Sequence, residues 1–436
     1  MFMEQITYSR RLEVCWDVDV AVVGGGIAGA CAAIAAAQTG ASVVLIERFA
    51  VTGGMLTGGG VSNFCGETAG QGQVFDELVA GLHAFGAIEP YEPYDHRKGV
   101  RPFHYELCAV LLQELLLKYG VRLLLHTRFV DVAQRREGRL EALLLRGQSG
   151  PQALRAKQFI DCTGEGELAH LAGCETMHGR PGDGLPLPMS LMYFVREIAD
   201  NQRRCEVPAG WCEPLQRPED LPMTSIWPSG VGAKAIKIKV IGGDSVDTEA
   251  LTRAETFARR RMLQVLDYHQ RVEGRPWLFD HASPIIGIRE GRRITGEYVL
   301  TEQDVRAGRA FDDGVAVGTF YLDAHDPTTD KRVAQILAFD DRVVPPYQIP
   351  LRCLIARDAE NLWMAGRDMS ADLLAMSSAR VTTSCAMMGQ AAGIGAALAA
   401  QRGLAARAVP AADVRELVIA RGANLDLSGR PTSRQP

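Results

Sequence analysis

The sequence has no apolar run of the ~18–20 residues that a membrane-spanning helix needs. Its longest candidate stretch, Ala28–Ala37, is shorter and lies among glycines. Excess positive charge is also missing. The net charge is −5, the isoelectric point is about 6.0 and arginines are scattered along the chain. Nucleic acid is therefore a poor first partner. The ten cysteines include no C-x-x-C pair, so zinc sites and redox dithiols of that spacing have no support and no metal is expected. Scattered cysteines in a chain of this size read as reduced packing residues, and a cytoplasmic location is the resulting expectation. Met1–Cys15 carries Glu4, Arg10, Arg11 and Glu13 without an apolar centre, unlike a secretory leader. There is no internal repeat and no low-complexity block.

What is present is 436 residues, 47% apolar and 23% charged, enough for two or three ordinary globular domains. The strongest local pattern lies near the start. Asp19–Val23 reads as a buried strand, followed by Gly24-Gly25-Gly26-Ile27-Ala28-Gly29. Ala28–Gln38 reads as a helix, Gly40 ends it, and Ser42–Ile46 reads as a second strand closed by Glu47. This is a β-α-β dinucleotide unit with its acid in place. Gly24 would allow the tight turn, Gly26 the approach of a pyrophosphate and Gly29 close helix–strand packing. The pyrophosphate would meet unpaired N–H groups at a helix start. Glu47 would accept from an adenosine ribose, and it disfavours a 2′-phosphate there. This segment alone leaves NAD and FAD both open. The next stretch, Val51–Cys65, holds five glycines, and such a loop could follow a long cofactor toward its ring system.

Further along, Gln73–Phe85 and Tyr105–Tyr119 read as helices, and Val121–Leu125, Val130–Ala133, Leu140–Arg146 and Ala153–Ile160 as strands. Phe159–Cys162 leads into the turn Thr163-Gly164-Glu165-Gly166-Glu167. Composition shifts near Gly179, a charged helix is expected from Thr248 to about Glu273, and cations crowd at Arg289, Arg292 and Arg293. A strand Asn361–Ala365 and an Ala- and Met-rich helix of about Arg380–Gln401 close the pattern. The expected organisation is an α/β dinucleotide domain in two parts, 1–173 and 352–427. A mixed α+β substrate domain, 174–351, is inserted between them, and 428–436 is expected to be a disordered tail.

Taken together, Asp19–Gly29 with Glu47-Arg48, Gly53–Gly58, Phe159–Ala169, Gly287–Ile294, Asn361–Asp368 and Met388–Gly393 resemble the FAD-dependent oxidoreductase family, itself distantly similar to succinate dehydrogenase and fumarate reductase flavoproteins. The resemblance implies FAD, a glutathione-reductase-like Rossmann fold and redox chemistry, without a substrate. It implies pyrophosphate contacts from Gly24, Gly26 and Gly29 with the intervening Ile27 and Ala28. It implies Glu47 on the ribose and Arg48 near the adenine. Gly54, Met55, Leu56 and Thr57 would approach the pyrophosphate or flavin. Val130 would offer its backbone to the adenine, with Thr163 and Gly164 near the adenosine. Gly366 and Arg367 would hold the ribityl chain, although Arg367 stands where many flavoproteins have an acid and Asp368 comes one residue later. A helix start near Arg380-Val381-Thr382 would face the flavin and stabilise negative charge on its reduced form.

For catalysis the flavin carries electrons, while the protein supplies orientation and a proton donor or acceptor. Candidates are His281, Arg289, Arg293, His178 and Arg380. Arg289, Arg292 and Arg293 could bind an anionic substrate, or could form a structural ion-pair cluster with Glu290 and Glu297. His325 and Asp326 resemble a metal pair by residue type only. The expected activity is hydride transfer between a small organic substrate and flavin N5, with a second acceptor, redox partner or homo-oligomer left open. The alternatives are an NAD-dependent dehydrogenase and a non-catalytic FAD-binding assembly or sensor protein.

Overall fold

In the computed structural model the strand Val14–Val23 lies at the centre of a parallel sheet. Val43–Ile46 pairs with one edge of it and Gly150–Asp161 with the other, both parallel. Arg122–Leu124 extends the sheet beyond Val43–Ile46, and Leu362–Met364 extends it beyond the C-terminal half of Gly150–Asp161. Runs such as Val20–Val23 and Val43–Ile46 are buried on both faces, as parallel strands covered by helices must be. The N-terminal half of Gly150–Asp161 stays paired with Val14–Val18 and on its other side pairs antiparallel with Arg139–Gly147, which in turn pairs with Arg128–Arg136. The described residues are 6–7, 9–88, 100–199, 206–229, 232–331, 335–430 and 432–433.

Two small-residue helices cover the same face of this sheet. Ile27–Gln38 follows the glycine turn, and Thr382–Arg402 comes near the end of the chain. They touch backbone to backbone. A Cβ on Gly389 would sit 2.1 Å from the Ala28 carbonyl oxygen, and one on Gly393 would sit 2.1 Å from that of Ala32. Contacts advance in the same direction along both helices, so they run parallel and begin at the same end. Met387 and Met388 are fully buried core residues.

The inserted sheet is antiparallel, in the order Thr224–Pro228, Ala233–Val240, Met189–Glu197, Trp277–Ala282. Side chains alternate across it. Leu191, Tyr193, Val195, Ile236 and Ile238 pack against Ala254, Ala258, Met262 and Val265 of the helix Thr248–Arg271. The other face carries Ser190, Met192 and Phe194 beside Lys237 and Lys239. The apolar core of this sheet takes in residues from Met189 to Ile288. Leu300, Val315–Val317, Tyr347, Ile349 and Leu351, which composition grouped with the insertion, pack in the core shared by the two parallel helices. Helices Leu373–Ala379 and Ala411–Ala420 were not anticipated.

The tail expected to be disordered makes specific contacts where it is described. Arg430 pairs with Glu67, and its Nη2 donates to the Asn424 carbonyl at 2.9 Å. Ser433 is buried and exchanges hydrogen bonds with Val344. Residues 431 and 434–436 of that tail lie outside the described residues. Among the described residues no helix is long and apolar enough to cross a membrane.

The helix–helix contact leaves no room for a side chain. Gly389→Val should lower stability by about 2–3 kcal/mol through overpacking, read as a lower midpoint in urea unfolding.

Candidate functional site

One cavity of about 1100 Å3 runs from the glycine turn to the inserted sheet. Its first end is built by tight glycine turns. Gly24 has φ +100°, and a Cβ there would meet the Cys162 carbonyl oxygen at 2.4 Å. A Cβ on Gly29 would meet the Gly24 carbonyl oxygen at 1.9 Å, so Gly29 packs helix on strand and does not line the cavity. Gly26 differs: a Cβ there would meet nothing within 4 Å, because the position faces the cavity. No side chain caps the helix that Gly26 begins, and Ile27 and Ala28 line the cavity at its first turn. The Gly53-Gly54 loop lies directly on this turn, with Gly53 N–H donating to Gly25 O at 2.7 Å. Gly54, Met55 and Leu56 line the cavity. Thr57 does not, since its hydroxyl turns back to the Thr52 carbonyl at 2.6 Å.

Glu47 is buried at the end of the second strand and accepts from Gly25 N–H at 2.7 Å and Phe49 N–H at 2.8 Å. Burial pushes its carboxyl above the ordinary value, against the pull of those two N–H groups and of Arg48. Arg48 and Arg367 both reach Glu165, at 3.4 and 2.8 Å, and all three line the cavity with Thr163, Gly164 and Gly366. Val130 points elsewhere and is 41% exposed. The strand begins at Arg128 and its alternation brings Phe129 to the cavity instead. Arg367 and Asp368 differ in direction. Arg367 lines the cavity, whereas Asp368 turns inward and accepts from Gly164 N–H at 3.1 Å. Burial and the neighbouring carboxylate of Asp161 push Asp368 well above the carboxylate range.

At the far end, Arg380, Val381 and Thr382 line the cavity where the second helix begins, again without a side-chain cap. Arg380 pairs with Asp323 at 2.9 Å, and Asp323 also holds His325 at 3.0 Å. Burial would raise Asp323, but His325, Arg380 and Arg289 hold it well below the carboxylate range. Burial pushes His325 down to about 4 in spite of Asp323, which favours its neutral form. Lys237 lines the same end, from the sheet face that carries Met192. Burial, helped by Arg289, lowers it to about 8. Arg289 is 7% exposed; its Nη1 donates to Pro188 O at 2.7 Å, it makes no direct ion pair among the described residues, and Asp323 opposes the pull of burial on it. Cys65 is another lining residue, and burial lifts its thiol to about 11, which disfavours a thiolate.

Three sequence candidates lie away from this cavity. Arg293 is locked to Glu290 at 2.6 Å and to Gly179 O at 3.1 Å, a buried structural pair. His281 bonds Tyr105 and Asp280 and stacks on Phe194. His178 bonds Asp244 at 3.1 Å. Lys237, Tyr321 and Asp323 went unnoticed in the sequence, and His325 was considered only as a metal ligand. A usable signal existed for Lys237: Ala-Ile-Lys-Ile-Lys-Val alternates with the strand period, which puts its lysines on one face.

A long cavity with uncapped helix starts at two places, a buried acid after the second strand and room at Gly26 suits a dinucleotide carrying a ring system. Residues 19–418 match the FAD dependent oxidoreductase family, and the chain belongs to that family. It is thus an FAD-dependent oxidoreductase, and membership favours FAD over the NAD alternative. A geranylgeranyl bacteriochlorophyll reductase-like protein from Thermoplasma acidophilum is similar at 14% identity, over 94% of this chain and 84% of its own, with a TM-score of 0.47. OxyS anhydrotetracycline hydroxylase from Streptomyces rimosus is similar at 14% over 92% and 65%, TM-score 0.47. The flavin-dependent brominase Bmp2 is similar at 11% over 92% and 84%, TM-score 0.47. The reactions in those names belong to those proteins. No curated protein matches the chain.

Gly26→Val separates fold from cofactor. The backbone at Gly26 is extended (φ −62°, ψ 178°) and free of protein neighbours, so the apo-protein should keep its melting temperature. The added side chain should occupy cofactor space and strip most of the flavin absorbance per protein. Gly24→Ala should lower both, because its Cβ meets backbone at a positive φ.

Proposed function

We propose that the protein is a flavin-dependent dehydrogenase or reductase of glutathione-reductase-like fold, exchanging a hydride between a small organic substrate and flavin N5. The observation that carries this reading is the single cavity joining the dinucleotide cradle to a walled, charged chamber under the inserted sheet. The parallel sheet with its antiparallel three-strand excursion supports the subtype. Bound FAD supplies the two-electron centre. Gly24, Gly26, Ile27 and Ala28 would hold its diphosphate, Glu47 its ribose, and Thr163, Gly164 and Phe129 the adenosine side. Gly54–Leu56, Gly366 and Arg367 would hold the middle, and Arg380, Val381 and Thr382 the flavin end.

In the chamber, Lys237 is the proton-exchanging group. It faces the cavity, has no hydrogen bond or ion pair from the described residues, and is lowered to about 8, so both protonation states are accessible near neutrality. His325, neutral and held by Asp323, orients substrate and does not donate charge. Asp323 keeps Arg380 in place through its ion pair. The inserted sheet excludes water with Met192, Phe194 and Trp227. Electrons leave to a second acceptor, a small molecule or a protein.

The test is anaerobic. The oxidised holoprotein is mixed with alcohols and amines, and the reduced form with activated carbon–carbon double bonds, while flavin absorbance is followed. A substrate deuterated at the donor carbon should bleach the flavin more slowly. When Lys237 acts as a base, the rate should rise as pH passes through about 8, where the amine loses its proton. Lys237→Met should lower the rate about a hundredfold and remove that limb of the profile. An unchanged profile in the variant would reject Lys237, and a flavin inert to every donor and acceptor would sink the hydride reading.

A further inference from the structure

At the inserted-sheet end, three guanidiniums and an amine line the cavity from different parts of the chain. Arg289 follows the inserted sheet beside Lys237, Arg342 ends the turn Asp340–Arg342, and Arg380 precedes the helix Thr382–Arg402. Among the described residues one carboxylate at that end answers them. Asp323 pairs directly with Arg380 and also opposes the pull of burial on Arg289. Arg342 is 7% exposed, and its Nε and Nη1 find no hydrogen-bond partner among the described residues; its charge lies over the Phe339 ring, 5.1 Å from the centroid. Leu322 N–H donates to the Arg342 carbonyl at 2.9 Å, which ties that turn to the stretch carrying Tyr321 and Asp323. Tyr321 is the common neighbour, since its phenol feels the charges of Arg342 and Arg380 and acts in turn on Arg289. The lining there is polar at further points. A carboxylate only accepts, so His325 in the neutral form that burial favours carries its hydrogen on Nε2 toward Asp323, and its Nδ1 accepts from Gln335 Nε2 at 3.2 Å. That leaves Gln335 Oε1 without a partner among the described residues, and Ser190 Oγ has none either. Buried guanidiniums in excess over carboxylates are costly unless an anion joins them. The diphosphate of a bound dinucleotide belongs to the cradle at Gly26 and the Ile27 helix start, and an oxidised flavin ring has no negative charge to offer.

We propose that the chamber binds a small organic dianion, held by Arg289 and Arg342 together, as the substrate of the flavin. The inference rests on the hydride-transfer reading and names the substrate class of that same site. Two sources share this chemistry. A dicarboxylate would place one carboxylate on each guanidinium, and a phosphate monoester would place one doubly charged group on both. Guanidinium meets either anion through paired N–H donors, and Ser190 Oγ can donate to an anionic oxygen as well. A monoanion would leave one guanidinium of the two uncompensated, because Asp323 is already committed to Arg380 and His325. Lys237 is neutral when it acts as base, so it supplies no fixed charge in their place.

The test uses the FAD-loaded protein and isothermal titration calorimetry at roughly pH 8.5, above about 8, where Lys237 loses its proton, and below about 10, where Arg289 would. The probes are the straight-chain dicarboxylates from malonate to adipate, each beside its monoamide, and methyl phosphate beside methyl sulfate. Each pair keeps its shape and differs by one charge. At least one dianion should bind about 30-fold tighter than its singly charged partner. A winning dicarboxylate identifies the two-carboxylate source, and methyl phosphate winning alone identifies the phosphate. If no dianion binds tighter than its partner, the inference is overturned. Arg289→Gln and Arg342→Gln should each erase the preference at unchanged flavin content, and a preference that survives in full in either variant overturns the joint grip. If a variant loses FAD, the ranking of the pairs on the wild-type protein decides. Flavin reduction by a neutral alcohol or amine, with no preference for any dianion, would overturn this substrate class and leave hydride transfer standing. A preferred dianion without turnover of any donor or acceptor would support the class and remove the hydride reading.

Discussion

Everything in the nucleotide half depends on one close contact, that between the backbones of Ile27–Gln38 and Thr382–Arg402. Alanine and glycine at the meeting points let the two helices approach with carbonyl oxygens where side chains would otherwise stand. Because they run parallel, both present their unsatisfied N–H groups at one end. Each start is then a patch of partial positive charge, and the cavity between sheet and insertion receives both. A dinucleotide with an anionic middle and a ring that gains negative charge on reduction matches that placement at two points.

The charged side chains divide along the same axis. Near the glycine turn, Arg48 and Arg367 share Glu165, and Glu47 is held by backbone N–H groups. Toward the inserted sheet, Asp323 pairs directly with Arg380 and His325, while Arg289 and Arg342 line the cavity without a direct ion pair among the described residues. Low dielectric magnifies such an imbalance. The same burial lowers Lys237 and makes an otherwise permanent cation a group that can exchange protons.

The nucleotide unit was legible because its constraints are local. Gly24, Gly26, Gly29 and Glu47 stand at spacings imposed by one strand, one turn and one helix, and the structure keeps them together. Phe129 lines the cavity where Val130 does not, since neighbouring residues of an alternating strand face opposite ways. Thr57 is off the cavity lining because a nearby carbonyl takes its hydroxyl. Arg289 and Arg293 look alike in the chain, four residues apart, yet one lines the cavity without a direct ion pair among the described residues and the other is consumed by Glu290. His281 looked reactive by type and proved to be held between Tyr105, Asp280 and Phe194.

The sequence by itself determined the dinucleotide unit, the parallel sheet that carries it and the family, because glycine turns, strand runs and helix starts are written in neighbouring residues. Only the tertiary structure decided which cations remain unpaired and which residues share the chamber. Lys237, Arg289, the Asp323–His325 stretch and Arg380 come from separate segments of the chain. Their charge balance is a property of distances, and folding sets those distances between segments that share no local signal.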